Sequence, residues 1–337
     1  MKTGKKNQMY FDRRKFLQIV AVAGAAGAGW ALGLNRNTSR YKVVQKSQPM
    51  MGTILNLTLY GPEKNVLETA VETTIDRMLA LERQLSRHDE GSEIATLNRT
   101  GTLSQPSRDA RTVLELARFV NDKTRGAFDV TVLPLVKLQQ SGKVPDRSSI
   151  QEALALTGFH HLTIGEEKIT LARAGMGITL DGIGKGYIVD QGVEALRQNG
   201  FGSAYVEAGG DLMVTGNKPG NQPWRIGIRN PRPSSSGELM VLKTSNHAVA
   251  TSGDYMQAYA ADYSRHHIVN PRTGYSPPEL ASATITAPTV ALADGLATAA
   301  MVMGHKQSIA MLKNMPNCEG YFIDKDLHHY QSAGFSG

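Results

Sequence analysis

From Thr53 to Tyr60 the sequence TILNLTLY alternates apolar with polar residues, a period of two that predicts a half-buried strand. The period lengthens over residues 63–85, where Val66, Ala70, Thr73, Ile75, Met78, Leu79 and Leu81 recur at helical spacing. Residues 86–100 are polar and predict a loop, and a second helix is expected from about Arg108 to Lys123. Gly126-Ala127-Phe128-Asp129 opens a turn, a short helix is expected near residues 150–157, and strand-like segments fall at 161–171 and 177–180. Next come a strand end, a glycine-rich turn (Thr179 to Gly186) and a helix from Tyr187 to Asn199, with Ile188, Val189, Val193 and Leu196 on its buried face and Gly200 suited to its C-cap. Strands are then expected at 203–207, 211–215, 224–228, 238–243, 247–251, 266–269 and 282–287, and an Ala- and Met-rich helix from Asp294 to Gly304. Strands and helices do not alternate regularly, so the fold class is α+β and not a doubly wound parallel sheet.

Charge changes this picture mainly at the N-terminus. The chain of 337 residues has a net charge of +7. Six basic residues (Lys2, Lys5, Lys6, Arg13, Arg14, Lys15) and one acid, Asp12, precede residue 35, which leaves 31 basic against 29 acidic groups in the body. The body has no basic face of its own, so no nucleic acid is expected as a partner. Asp12-Arg13-Arg14-Lys15-Phe16-Leu17-Gln18 resembles a twin-arginine export signal, and the apolar run from Ile19 to Leu34 is short for a membrane span, which needs roughly 20 residues. The expected organisation is a signal peptide at 1–34, a polar tether at 35–47 and one domain at 48–337, with a periplasmic location or retention by an uncleaved N-terminal anchor. The single Cys318 cannot form an internal disulfide, which fits export of an already folded chain.

Three stretches could carry chemistry. The turn at 179–186 opens a helix, so its backbone N–H groups and the helix dipole would favour phosphate, though it matches neither a Walker loop nor a dinucleotide fingerprint. On the late helix, Asp294 and Thr298 lie one turn apart on one face, and a carboxylate with a hydroxyl suits a hard cation such as magnesium. In Arg265-His266-His267-Ile268-Val269-Asn270-Pro271, adjacent strand residues point to opposite faces, so at most one histidine can face a given site, where it could act as general base. No HExxH and no cysteine cluster argue for zinc.

These pieces, in this order, resemble the ApbE-type FAD:protein FMN transferases. The matching residues are Met51-Gly52-Thr53; Leu85-Ser86-Arg87-His88 with Ser92-Glu93 and Asn98; Gly126 to Thr131; the turn from Thr179 to Asp190; Ala208-Gly209-Gly210-Asp211; Trp224 to Ile228 with Pro231; Ala250 to Tyr255; His267 to Pro271; and the Asp294 helix. The resemblance implies mixed, mostly antiparallel sheets with flanking helices and an FAD cleft between sub-regions. It implies FAD contacts at Met51, Ser86, Arg87, His88, Ala127, Phe128, Asp129, Thr179, Lys185 and Ile268. It implies a magnesium site (Mg2+) made by Asp294, Thr298 and the carbonyls of Gly182 and Ala297, and it places His267 at the reaction centre. On chemical grounds His267 is expected to act as the catalytic base, with Asp254 assisting. Thr179 stands where family members often carry a carboxylate, Asp181 where they have a small residue, and Asn270 where many have Asp.

The activity this implies is transfer of FMN from FAD to a Ser or Thr hydroxyl of an acceptor protein, with release of AMP. The acceptor would be a membrane redox subunit of sodium- or proton-coupled electron transfer, or a regulator of nitrous oxide reduction. Two alternatives use the same residues: hydrolysis of FAD to FMN and AMP, and flavin binding without turnover by an assembly factor.

Overall fold

The computed structural model describes residues 41–141, 144–232 and 238–336. The stretch read as an export signal and residues 35–40 of the tether lie outside them. Among the described residues, no helix is long and apolar enough to cross a membrane.

Two nine-residue strands, β1 (Lys42–Met50) and β2 (Thr53–Gly61), open the fold as an antiparallel hairpin. β1 begins inside the stretch read as a tether. It is an edge strand whose residues are mostly exposed, so it carries no apolar alternation to announce it. The connection is the two-residue turn Met51-Gly52, both at positive φ (52° and 69°), the backbone that matches the twist of a hairpin.

α1 (Lys64–Leu85) follows, as its spacing predicts. The polar stretch after it is not all loop, because α2 (Glu93–Thr100) occupies its second half. Ser92 caps that helix by accepting the Ala95 N–H at 2.9 Å, and Ile94 and Leu97 bury its one apolar edge. Then come β3 (Thr102–Ser104), α3 (Arg108–Lys123), α4 (Leu133–Gln139), α5 (Arg147–Ala155), β4 (Leu162–Ile164) and β5 (Lys168–Leu171). Residues 177–180 are extended but join no sheet. The Asn98 side chain holds Ile178 by both its N–H (2.7 Å) and its C=O (2.9 Å), and Thr179 N–H donates to Val130 O at 2.8 Å.

α6 (Gly184–Gln198) leads into β6 (Ala204–Ala208), β7 (Asp211–Thr215), β8 (Trp224–Arg229), β9 (Glu238–Thr244), β10 (His247–Gly253) and β11 (Leu280–Ala287). The long α7 (Val290–Leu312), β12 (Glu319–Asp324) and β13 (His329–Gln331) close the chain. Residues 266–269, expected as a strand, make a single bridge, Ala258 to His266, and no ladder. α7 starts one turn before Asp294 and runs past Gly304, where the backbone leaves helical geometry (φ 78°, ψ 168°) before the helix resumes.

The main sheet has eight strands in the order β1-β2-β6-β7-β10-β11-β12-β13, every pair antiparallel. Alternation gives it two buried faces. Met213, Ala248, Ala250 and Phe322 join the large core with α1, α6 and α7, while their neighbours Leu212, Val214, Val249, Tyr321 and Ile323 pack against Trp224, Ile226 and Ile228 of the β8–β9 hairpin. Residues of β7 and β10 in step with Met213 and Ala250, namely Asp211 and Ser252, therefore face the helices.

Candidate active site

The glycine turn and the late helix meet. A Cβ built on Gly182 would fall 2.8 Å from Thr298 Oγ1 and 3.3 Å from the Phe128 ring, so the absence of a side chain at 182 leaves room around the Thr298 hydroxyl. Ser252 Oγ lies 3.3 Å from the same hydroxyl. At Gly186 a Cβ would meet the backbone of Val290 and Ala291 at 2.6 Å, so glycine there is what lets α6 and α7 touch. Asp190, one turn further along α6, accepts the Val290 and Ala291 N–H groups at 2.8 and 2.9 Å and so caps the N-terminus of α7 with a carboxylate. Burial pushes the Asp190 carboxyl up to about 6, against those two hydrogen bonds.

Asp294 is buried and accepts the Gly186 N–H at 3.3 Å. Lys185 Nζ stands 4.0 Å from its Oδ2 and is paired directly with Asp211. Burial pushes the Asp294 carboxyl up; Lys185 opposes this and Asp211 adds to it. For Lys185 burial works downward, but the attraction of Asp211 and Asp294 outweighs it, so the ammonium stays charged. The turn itself is closed by Leu180 O, which accepts from Ile183 and Gly184, and by Thr179 Oγ1, which accepts the Asp181 N–H at 3.2 Å. Arg87 grips Asp181 with two nitrogens at 3.0 to 3.3 Å, which joins the end of α1 to this turn.

His267 is half-buried, and the neighbouring histidine sits in a different environment. His266 is fully buried with Nε2 3.2 Å from Pro277 O. His267 lies close enough to Asp181 and Lys185 to feel both charges. Burial and His266 push its imidazole down to about 4, against the Gln257 carbonyl and Asp181. It is therefore neutral near pH 7 and can accept a proton.

The other expected contacts have defined places. Met51 N–H donates to Glu82 Oε1 at 2.7 Å, which pins the hairpin turn to α1. Ser86 ends α1, its hydroxyl accepting the His88 N–H at 3.2 Å. Arg87 and His88 also border a cavity of about 390 Å³ with Asn98, Arg99 and Lys137. In the Ala127-Phe128-Asp129 turn, the Asp129 carboxylate accepts from the Thr131 N–H (2.8 Å) and hydroxyl (2.6 Å) and from the Phe159 N–H (2.9 Å), which shapes the turn. Ile268 is buried in the main core. Ala297 is buried inside α7 and can offer only its carbonyl.

One expectation fails. Asp254 is fully buried and bound by Arg232 at 2.8 and 2.9 Å, with Lys325 at 3.8 Å, so it is a structural counter-ion and cannot assist a proton transfer. Conversely, the sequence reading assigned no role to Asp211 or Ser252. Their signal was the phase of β7 and β10, which sends both toward the helices.

The donor set fits a hard divalent cation. Asp294, Thr298, Ser252 and the carbonyls of Gly182 and Ala297 offer only oxygen, and no sulfur or imidazole is among them. Asp324, Asp326 and His328 form a separate group with possible ligand atoms within 4.8 Å of one another, largely exposed at the β12–β13 turn.

Residues 51–322 match the model of the ApbE family. The chain is similar to the FAD:protein FMN transferase of Treponema pallidum, 31% identical over 321 residues that cover 88% of each chain. It is 33% identical over 307 residues to that of Vibrio cholerae, covering 87% of this chain and 91% of the relative. Among solved structures, the ApbE protein of Thermotoga maritima superposes with a TM-score of 0.80 at 28% identity, covering 87% of this chain and 97% of that one. The flavin transferase ApbE of Vibrio cholerae superposes with a TM-score of 0.76 at 29% identity, covering 88% and 98%.

Proposed function

The chain belongs to the ApbE family, and we propose that it transfers FMN from FAD to a Ser or Thr hydroxyl of an acceptor protein, releasing AMP. The observation that carries this reading is that the turn from Gly182 to Gly186 meets Thr298 (at Gly182) and Asp294 (at the Gly186 N–H), beside Lys185 at the start of α6. This is a place where helix-end amides, an ammonium and oxygen ligands converge, as a diphosphate requires.

Asp294 and Thr298, with the carbonyls of Gly182 and Ala297, would hold magnesium, which would neutralise charge on the diphosphate oxygens. The chain's own groups do the rest. Lys185 and the N-terminal turn of α6 bind the diphosphate and orient it. His267, neutral at working pH, takes the proton of the acceptor hydroxyl at an imidazole nitrogen. The hydroxyl oxygen forms a bond to the phosphorus on the riboflavin side, the bond from that phosphorus to the bridging oxygen breaks, and AMP leaves with that oxygen. A base of such low pKa is effective if proton transfer comes late, as it does in a loose phosphoryl-transfer transition state.

Incubation with FAD, Mg2+ and candidate acceptors, read by in-gel flavin fluorescence, tests this reading. Membrane redox subunits and regulators of nitrous oxide reduction are the acceptors to try first, and periplasmic export is checked by sequencing the mature N-terminus. Asp294→Ala is expected to abolish labelling, while His267→Ala spares FAD binding. Labelling that survives Asp294→Ala would discredit the site. Release of FMN and AMP without any acceptor labelling would favour hydrolysis instead.

A further inference from the structure

Asp211 is not among the residues expected to bind FAD or the cation, yet it is the direct partner of Lys185. Its carboxylate is only 3% exposed, and its position is set by the backbone. β6 and β7 are joined by Gly209-Gly210, both at positive φ (63° and 101°). A Cβ on Gly209 would fall 2.8 Å from Thr53 Oγ1, so this turn sits hard against β2. The Gly210 N–H donates to Glu207 Oε1 at 2.6 Å, and Glu207 Oε2 accepts from Asn56 Nδ2 at 2.6 Å, which braces the hairpin across three strands. The side chain of Lys185 is different. It is long, 30% exposed, and stands between two carboxylates, paired with one and 4.0 Å from the other. An ammonium that closed this gap would compete with a divalent cation for the same Asp294 oxygens.

We propose that Asp211 is a positioning residue that acts through Lys185: by holding the ammonium to the β6–β7 hairpin, it keeps Lys185 from closing onto Asp294 and leaves that carboxylate available to a divalent cation. The inference rests on the reading of Asp294 and Thr298 as the cation site. Without the charge at 211, Lys185 pairs with Asp294 and the site is occupied by the protein's own cation. Lys185 thus remains within reach of the diphosphate without occupying the cation's ligand.

A double-mutant cycle tests this on the whole chain without FAD, with Mg2+ affinity read from the Mg2+-dependent rise in Tm and Mn2+ affinity from calorimetry. Asp211→Asn is expected to weaken Mg2+ binding by about tenfold or more, and Lys185→Met to bind at least as tightly as the native chain. The decisive comparison is Asp211→Asn in the Lys185→Met background, where its effect is expected to shrink to about threefold or less. An equal effect in both backgrounds overturns the proposal, since Asp211 would then meet the cation itself or act only through net charge. Unchanged binding in Asp211→Asn also overturns it. Melting of each variant without metal separates a folding defect from an affinity change. Asp294→Asn keeps the two readings apart: if it binds Mg2+ as the native chain does, the cation site lies elsewhere and both fall. If it loses binding while Asp211→Asn does not, only the present proposal falls.

Discussion

The cap on α7 makes an unusual prediction about acid. Asp190 holds the first two N–H groups of the helix that carries Asp294 and Thr298, and burial raises its carboxyl to about 6 from the ordinary 3.8. Between pH 4 and 6 the unfolded chain has released this proton while the folded chain still holds it, so raising the pH through this window favours unfolding. A shift of about two units corresponds to about 3 kcal/mol of stability present below pH 4 and lost above pH 6. His267 works in the opposite direction over a similar range: its pKa is lowered to about 4 in the folded chain, so its contribution is present above pH 6.5 and fades as the pH falls. The two must be separated by difference. Urea unfolding of the native chain and of Asp190→Asn at half-unit steps from pH 4 to 7 would give that difference directly. The native chain is expected to lose about 1.4 kcal/mol per pH unit relative to the variant across the middle of the window. A flat difference, or one that grows in favour of the native chain with rising pH, would refute the argument.

Other outcomes follow from contact geometry. Gly186→Ala drives a methyl into the backbone of Val290 and Ala291, so α6 and α7 must part; a loss of about 3 kcal/mol or more, seen as a fall in Tm, is expected. Gly182→Ala presses on a side chain that can rotate, so stability should fall by only about 1–3 kcal/mol, while the Thr298 hydroxyl turns away and Mg2+-dependent labelling drops sharply. Asp254→Asn leaves Arg232 and Lys325 without their buried counter-ion, and a loss of about 3–5 kcal/mol in urea unfolding is expected.

What the sequence disclosed depended on whether a residue's role left a periodic trace. β2, α1, α3 and β8 announce themselves because one side is buried and the other more exposed. β1 does not, being exposed along most of its length, and α2 hides two apolar residues in a polar stretch. Residues 177–180 read like a strand because they are extended, but the Asn98 amide takes the place of a neighbouring strand, which no local pattern encodes. The chemistry was legible where spacing alone joins groups, as for Asp294 and Thr298. It was not legible for Asp211, which reaches Lys185 across 26 residues through a sheet, or for Asp254, whose partner Arg232 comes from another loop.

The break at Gly304 has a consequence for how this fold can vary. A regular helix carries rotational phase from end to end, so adding one residue anywhere turns everything beyond it by about 100°. At Gly304 that continuity stops: the backbone resets, and Glu279 receives the His305 N–H at 2.9 Å in place of an earlier carbonyl. The C-terminal half can therefore follow β12 and β13 through insertions or slips of its own without rotating the two oxygen-bearing side chains upstream.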